Sequence, residues 1–512
     1  MIQDSENLIE KLLNSISKET ILAGRCGIEK ETLRVNKNGI SILMHPEALG
    51  SSLCNSYITT DFSESLLEFI TPPFKNPIST VNFLDAIHHF VYDNLDNELL
   101  WPYSMPPLFK DENDIEIANY GSSNLALFKR AYRSGLSHRY GKGMQVIAGI
   151  HYNYSLSDDI WSLSDIFGSN SSDNKIKAEF YFRALRNIQR MNWLILYFFG
   201  ASPIVTRNFI DKDRSFKKSL DAYYLPYATS IRMSDLGYNN AKQSNLKVSA
   251  NSLQQYILDL KTATSVINKD YESIFGLSDE VNPQINACLL QIEDEYYSVA
   301  RPKSNYVSNE RQISKLYNHG IDYIELRSID LNPFSRVGVT DSTVKFLEMF
   351  ILYCTFKDSP LLSSNENEVI RRNDFLVAQE GRRKDLLLNN NGREVSLKDW
   401  ANKILDDMTP LAEFIGYEAI ILKKREQIND SRLTLSGLFL AEFLESKLSF
   451  HDFSHRKSED NKKHYLHKLS SNYDEYKILQ DEVLKSIVKQ ETLERSDDES
   501  YQEYVDRFFN AV

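Results

Sequence analysis

Arg25-Cys26-Gly27-Ile28-Glu29-Lys30-Glu31-Thr32-Leu33-Arg34 reads as an apolar strand that carries acids where a plain core strand has none. Side chains alternate between the two faces of a strand, so Glu29 and Glu31 project together while Lys30 points the other way. A second strand-like segment, Thr59-Thr60-Asp61-Phe62-Ser63-Glu64-Ser65-Leu66-Leu67-Glu68-Phe69-Ile70, repeats the theme with Asp61 and Glu68. The first acid pair alone fits a solvated edge strand as well as it fits a binding site. Clustered carboxylates at low dielectric take up protons or recruit cations. An oxygen-only set suits a hard cation such as Mg2+, which in turn suits a phosphate-bearing substrate.

Further strands are expected downstream. Met144–Tyr154 would place Gln145, His151 and Asn153 on one face, and Leu290–Tyr297 would do the same for Gln291, Glu293, Glu295 and Tyr297. In Ile321–Ser328, Tyr323, Glu325 and Arg327 would lie opposite core-facing Ile324 and Leu326. A lone histidine is usually structural, and His151 draws its interest from the acids on neighbouring strands. If these strands form one sheet, their polar faces converge on a cavity able to hold two or three Mg2+ ions against phosphate oxygens.

Apolar spacing predicts helices over residues 5–22, 79–100 and 175–199, and mainly helical structure after about residue 340, beginning with the run Val344–Phe356. Asn38-Gly39 signals a turn, so residues 27–44 suit a hairpin, while the polar span Ser454–Lys463 reads as a linker. The fold class expected is α+β: a curved, mainly antiparallel sheet covered by helices. Residues 1–340 would form the catalytic core, and residues 341–512 a mainly helical region packed on it.

Composition narrows the function. The 512 residues carry a net charge of −12 with no polybasic tract, which argues against nucleic acid as a partner. The acidic N-terminus lacks the pattern of a signal peptide, and the apolar run Trp193–Val205 contains Gly200 and Pro203 and is too short to span a bilayer. A cytoplasmic protein that avoids membranes, needs no protein partner and suffices as a monomer is expected. Four scattered cysteines without Cys-x-x-Cys spacing make neither a disulfide framework nor a zinc site, and Cys26 reads as structural. Gly135–Gly143 is no phosphate loop, since Tyr140 and Gly143 occupy positions where glycine and Ser or Thr are required. His451 with His455, and His464 with His467, read as solvated helix surface.

Longer blocks carry a resemblance. They include Gly27-Ile28-Glu29-Lys30-Glu31-Thr32-Leu33-Arg34, His45-Pro46-Glu47-Ala48-Leu49-Gly50, Thr59-Thr60-Asp61-Phe62, Leu66-Leu67-Glu68-Phe69-Ile70-Thr71 and Trp101-Pro102. Further on come Arg139-Tyr140-Gly141, His151-Tyr152-Asn153, Tyr224-Leu225-Pro226-Tyr227-Ala228-Thr229-Ser230, Ser234-Asp235-Leu236-Gly237-Tyr238, Arg301-Pro302-Lys303 and Glu325-Leu326-Arg327-Ser328. To about residue 340 the sequence closely resembles the glutamate–cysteine ligases of gamma-proteobacterial type, whose core is similar to that of glutamine synthetase and the guanidino kinases, and this likeness implies that the antiparallel sheet is funnel-like.

The resemblance implies that ATP phosphorylates the γ-carboxylate of L-glutamate and that the amino group of L-cysteine attacks the resulting acyl phosphate. The products would be γ-glutamylcysteine, ADP and phosphate, in the first step of glutathione synthesis. It further implies Glu29, Glu31, Asp61, Glu68, His151 and Glu325 as ligands of Mg2+, with Mn2+ as an alternative. Arg232 and Arg327 would be the catalytic cations, with Arg232 also binding substrate. Tyr132, Gln145, Tyr238 and Tyr297 would line the cysteine pocket. The chain departs from relatives in having Lys30 where many have Arg and in carrying none of the cysteines that some of them have in the C-terminal region, and the second step, which needs an ATP-grasp domain, is not expected of it.

Overall fold

The first acidic segment forms β1 (Arg25–Asn36), the axis of the main sheet. The computed structural model describes residues 8–167, 174–210, 215–237, 243, 246–277, 283–306, 310–467 and 474–510. Ahead of β1 lie α1 (Leu8–Ser15) and α2 (Lys18–Ile21), so the helix expected over residues 5–22 is broken at Ser17, whose hydroxyl caps α2. After β1 come β2 (Gly39–Ile40), β3 (Ile58–Thr60), β4 (Leu66–Ile70), β5 (Leu99–Leu100) and β6 (Ile150–Ser155). A separate sheet holds β7 (Ile204–Val205), β8 (Lys217–Ser219) and β9 (Ala222–Tyr224). The main sheet is completed by β10 (Ala300–Lys303) and β11 (Tyr323–Ile329), in the order β10-β11-β6-β1-β4-β3, with β2 and β5 paired to β1. All its pairings are antiparallel.

Period-two alternation decides what each face of this sheet does. Ile28 on β1, Leu67 and Phe69 on β4, Tyr152 and Tyr154 on β6, and Ile324 and Leu326 on β11 are all buried on one face. Against that face pack α3 (Pro77–Asp93), then α7 (Asn174–Phe199) and α12 (Asp341–Phe356), both almost wholly apolar where they meet it. Between α3 and α12 the chain also forms α4 (Asn124–Tyr140), α5 (Lys142–Gln145), α6 (Ser164–Phe167), α8 (Leu253–Ala263), α9 (Lys269–Glu272), α10 (Ile274–Leu277) and α11 (Gln312–His319). Lys30 points into the apolar layer as expected, with its Nζ 2.5 Å from His88 Nε2 on α3. Burial pushes its ammonium pKa down to about 7.

The later chain is α13 (Ser364–Glu380), the hairpin β12 (Leu387–Asn390) and β13 (Arg393–Ser396), then α14 (Leu397–Ile415), α15 (Glu418–Asn429), α16 (Leu435–Ser446), α17 (Phe450–Leu466), α18 (Asp474–Arg495) and α19 (Tyr501–Asn510). The apolar core runs without a break from Leu8 to Leu479. Among the described residues no helix is long and apolar enough to cross a membrane. The four cysteines are free, with Cys288 half-buried and the rest buried.

Several expectations are corrected. Residues 59–70 are not one strand but the hairpin β3–β4, with Asp61 in its turn. The helix expected over residues 79–100 ends at Asp93. Gln145 lies on α5 rather than on the strand of His151, which starts only at Ile150. Residues 290–297 are not a strand: Glu293–Glu295 is a 3-10 turn. Its acids are engaged by basic side chains, Glu295 by Arg139 at 2.9 Å and Glu293 by Arg311 at 2.8 Å. Ser454–Lys463 is no linker but the middle of α17.

Gly50 shows how the helical region is seated. Its φ of 82° and ψ of −163° belong to a backbone region open essentially to glycine alone. An added Cβ would lie 2.5 Å from Ser486 Oγ and 3.0 Å from Val483 Cα on α18. Gly50→Ala is expected to destabilise the protein by about 2 kcal/mol, read as a lowered midpoint in urea unfolding.

Candidate active site

Strand register builds the site. Across β1 and β6, Glu29 faces His151, and across β1 and β4, Glu31 faces Glu68. On the far side of β6, Glu325 of β11 faces Asn153, and Arg301 of β10 faces Glu325 in turn. Five neighbouring strands therefore put acids, a histidine and a cation on one concave face. Directly opposed like charges destabilise a sheet, so Glu31 and Glu68 call for a positive partner.

β11 departs from regular pairing where this matters. Leu326 pairs with Tyr152 and Ile329 with Ile150, so β11 holds one more residue than β6 in this stretch. Such a bulge bends the strand and re-aims a side chain, and here it falls on Arg327 and Ser328. Arg327 Nη1 lies 3.1 Å from Glu325 Oε1 and 3.5 Å from His151 Nδ1.

His151 is the hub. Its Nδ1 is 3.1 Å from Glu29 Oε2 and 3.9 Å from Glu325 Oε1, and its Nε2 is 3.7 Å from Glu31 Oε1. Asn153 Nδ2 donates to Glu29 Oε1 at 2.8 Å, and the Gly149 amide donates to Glu31 Oε2 at 2.7 Å. Asp61 is placed by Tyr120, whose hydroxyl donates to the Asp61 carbonyl at 2.6 Å, and by Arg133, whose Nη2 lies 3.9 Å from the carboxylate.

Burial, followed by the charges of Glu29, Asp61 and Glu31, raises the Glu68 carboxyl well above its ordinary range. Burial also raises Glu31, against the pull of His151. Burial works upward on Glu325 too, but Lys303, Arg327 and Arg301 outweigh it and the net shift is down. Burial and repulsion between carboxylates thus prevail at one end of the acid face, and attraction to cations prevails at the other.

The residues fit a metal ion. Glu29, His151 and Glu325 each offer a ligand atom, all within 4.8 Å of one another. His151 Nε2 and Glu325 Oε2 are buried without hydrogen-bond partners. Mostly carboxylate oxygens with one imidazole suit a divalent cation of the Mg2+ or Mn2+ type.

The acids open into a cavity of about 530 Å3, within the range that holds a small-molecule ligand. Tyr132, Gln145 and Tyr297 come together on its wall with Phe62 and Leu136, and Gln145 Nε2 donates to the Tyr297 hydroxyl at 2.9 Å. Tyr238 lies outside the described residues. Arg232 does not line this cavity: it is fully buried, with Nη1 3.6 Å from Asp330 Oδ1 and Nη2 donating to the Arg327 carbonyl at 2.9 Å. The room for its guanidinium comes from Gly149, where an added Cβ would sit 2.0 Å from Nη2.

The cavity also gathers residues that the sequence reading did not single out. Lys129 and Arg133 stand one turn apart on α4, and Arg301 and Lys303 come from β10. The Arg301-Pro302-Lys303 block was visible in the sequence, and the i, i+4 spacing of Lys129 and Arg133 puts both on one helix face. Tyr504 and Phe508 of α19 close the cavity from the far end of the chain, packed on Phe128. No local signal pointed to them.

An open antiparallel sheet with a face of acids, imidazole and guanidinium has the character of an enzyme site suited to cations and to an anionic, phosphate-bearing substrate. Comparisons with known proteins narrow this to one family. Residues 9–377 match the profile of the glutamate-cysteine ligase family. A glutamate–cysteine ligase of Alcanivorax borkumensis is 37% identical, with 99% of each chain covered. One from Pseudomonas fluorescens is 41% identical over 92% of this chain and 90% of its own. The structure of the Francisella tularensis glutamate–cysteine ligase in complex with AMP superposes with a TM-score of 0.88 at 34% identity, covering 96% of this chain and 98% of that one. The chain belongs to the glutamate–cysteine ligase family, and the reaction that goes with it is the ATP-dependent formation of γ-glutamylcysteine, the first step of glutathione synthesis.

The geometry predicts that Glu68→Gln stabilises the metal-free protein by about 1 kcal/mol near neutral pH, because it removes a charge from the crowded end of the face. A raised folded pKa means that ionisation costs stability as pH rises from the ordinary value of 4.5 upward. The gain should therefore fade as pH falls towards 4.5, a trend that thermal melts in chelator across pH would reveal.

Proposed function

We propose that the acid-lined funnel performs this chemistry in two displacements. A γ-carboxylate oxygen of L-glutamate attacks the γ-phosphorus of ATP, and ADP departs. The amino group of L-cysteine then attacks the acyl carbon, the C–N bond forms, and phosphate leaves. Activation is required because a free carboxylate is a poor acyl donor.

The observation that carries this reading is the single concave face on which register places Glu29 opposite His151, Glu31 opposite Glu68, and Glu325 beside the bulged Arg327. Glu29, Glu31, Asp61, Glu68, His151 and Glu325 would hold Mg2+, or Mn2+ in its place. When bound, the metal neutralises phosphate oxygens during transfer. Arg327, Lys303, Lys129 and Arg133 line the same cavity and bring positive charge to the transferring phosphoryl group. Arg232 acts from behind as a positioning residue, since its bond to the Arg327 carbonyl holds the bulge. Tyr132, Gln145 and Tyr297 form the slot for cysteine, with Tyr238 joining them by resemblance. AMP in the Francisella relative supports a nucleotide site in this fold. The sheet-and-helix portion, residues 1–340, carries all of these groups.

The test is phosphate release from ATP by the full-length chain. Release should need Mg2+, glutamate and cysteine together, and other amino acids offered in place of cysteine should react more slowly. Glu325→Gln and Arg327→Lys should each lower kcat by about 100-fold or more. The reading fails if folded wild type shows no cysteine-dependent release, and the assigned site fails if Glu325→Gln turns over like wild type.

A second expectation concerns protons. Because Glu31 and Glu68 hold protons above their ordinary range, a divalent cation must displace them on binding. MgCl2 should therefore raise Tm more at about pH 8 than at about pH 5.5, as measured by differential scanning calorimetry.

A further inference from the structure

A second cavity, of about 570 Å3, lies on the other side of Arg327 and Tyr297, between α7, α8 and α13. Its base is a buried acid. Asp374 on α13 is 8% exposed, its Oδ2 accepts from Asn192 Nδ2 at 2.8 Å, and its Oδ1 has no hydrogen-bond partner. Asn192 is held in turn by Ser328, whose hydroxyl donates to Asn192 Oδ1 at 2.5 Å. The Asn192 amide is thus fixed at both ends, and the open Asp374 oxygen lies at the wall of a space large enough for a ligand. No residue assigned to the acid funnel explains this buried carboxylate.

The lining selects the ligand chemistry. The charged groups among the described residues of the wall are Asp259, Glu368 and Asp374 against Lys247, Arg327 and Arg371. Acids and bases balance, which suits a ligand carrying both charges and disfavours a bare metal ion or a polyamine. Asp259 is already engaged, accepting from the Ser249 amide and from Gln255, so Asp374 is the buried acceptor still open. Burial holds its carboxyl up to about 8, a penalty that an ammonium partner relieves.

We propose that this chamber is a second binding site, which takes the zwitterionic head of an amino acid or short peptide. The ligand ammonium bonds to Asp374 Oδ1 and its carboxylate turns towards the basic side chains of the wall. Arg327 and Tyr297 border both cavities, and Ser328 links Asp374 through Asn192 to the bulge of β11.

Equilibrium dialysis of the full-length chain with Mg2+ and a non-hydrolysable ATP analogue tests this, with radiolabelled L-glutamate and γ-glutamylcysteine as separate probes. At least one probe should bind with a second equivalent per wild-type chain, and that equivalent should be lost in Asp374→Asn. A single equivalent of both probes in wild type, or a second equivalent that survives Asp374→Asn, overturns the proposal. Should that variant fail to fold, Asn367→Trp decides by the same count, since it sets a bulky ring at the exposed rim of the chamber and leaves the buried acid intact. Phosphate release is measured in parallel and should stay within about twofold of wild type in Asp374→Asn at saturating substrate. Loss of ligase turnover in wild type would count against the funnel chemistry and leave the binding count unaffected.

Discussion

Everything in this molecule is arranged around carboxylates that repel one another across adjacent strands. Glu31 faces Glu68 over a single antiparallel pairing, and Glu29 and Asp61 add charge to the same crowded end. An opposed like-charge pair costs a sheet about 1 kcal/mol or less. The reverse face buries Ile28, Leu67, Phe69, Tyr152, Tyr154, Ile324 and Leu326 almost completely. At about 1.5–3 kcal/mol for each large apolar side chain, that burial outweighs the repulsion several-fold. The apolar face therefore holds the acids in a geometry they would not choose, which makes them ready for a cation.

The same alternation accounts for Lys30, a charged side chain on the apolar face. Lys30 lies between Glu29 and Glu31, so a strand that aims both acids into the cavity must aim this lysine into the helical layer. Against His88, with Phe69 stacked edge-on nearby, the ammonium is pushed down to about 7 and the imidazole well below its ordinary value. A Lys–His contact in its neutral form is a tolerable buried hydrogen bond, whereas a charged one would not be.

What was legible in the sequence and what was not follow from range. Alternation is local, and it correctly put Glu29 with Glu31 and Glu325 with Arg327, each opposite core residues. The same pattern at Gln291, Glu293 and Glu295 misled, because the two glutamates answer to Arg311 and Arg139, which lie outside the segment. Gln145 was placed on the wrong element, yet it reaches Tyr297 from α5. The Ser454–Lys463 span looked like a linker because its buried stripe is polar. Phe450, Ser454, Ser458, Asn461 and Tyr465 follow one helix face, and the two serines are fully buried in it. Small residues let α17 pack closely against its neighbours, and hydropathy alone does not register that.

Arg232, by resemblance a cation for the substrate, is fully buried, paired with Asp330 and bonded to the carbonyl of Arg327. A bulge is a weak point in a ladder, because its extra residue lacks a partner across the strand. The buried guanidinium supplies a partner from outside the sheet, and Gly149 makes room for it while donating its own amide to Glu31. One glycine thus lets a buried cation brace the bulge and also fixes a carboxylate at the crowded end. The opposing wall is built differently: Tyr504 and Phe508 of α19 meet Phe128 and Ile292 in a small cluster separate from the main core. The funnel therefore has one side fixed by eight hydrogen-bonded strands and one side fastened by a few aromatic contacts. By the general rule that regions with few buried contacts open first, the α19 side is where the cavity can yield while its ligand-bearing face stays rigid.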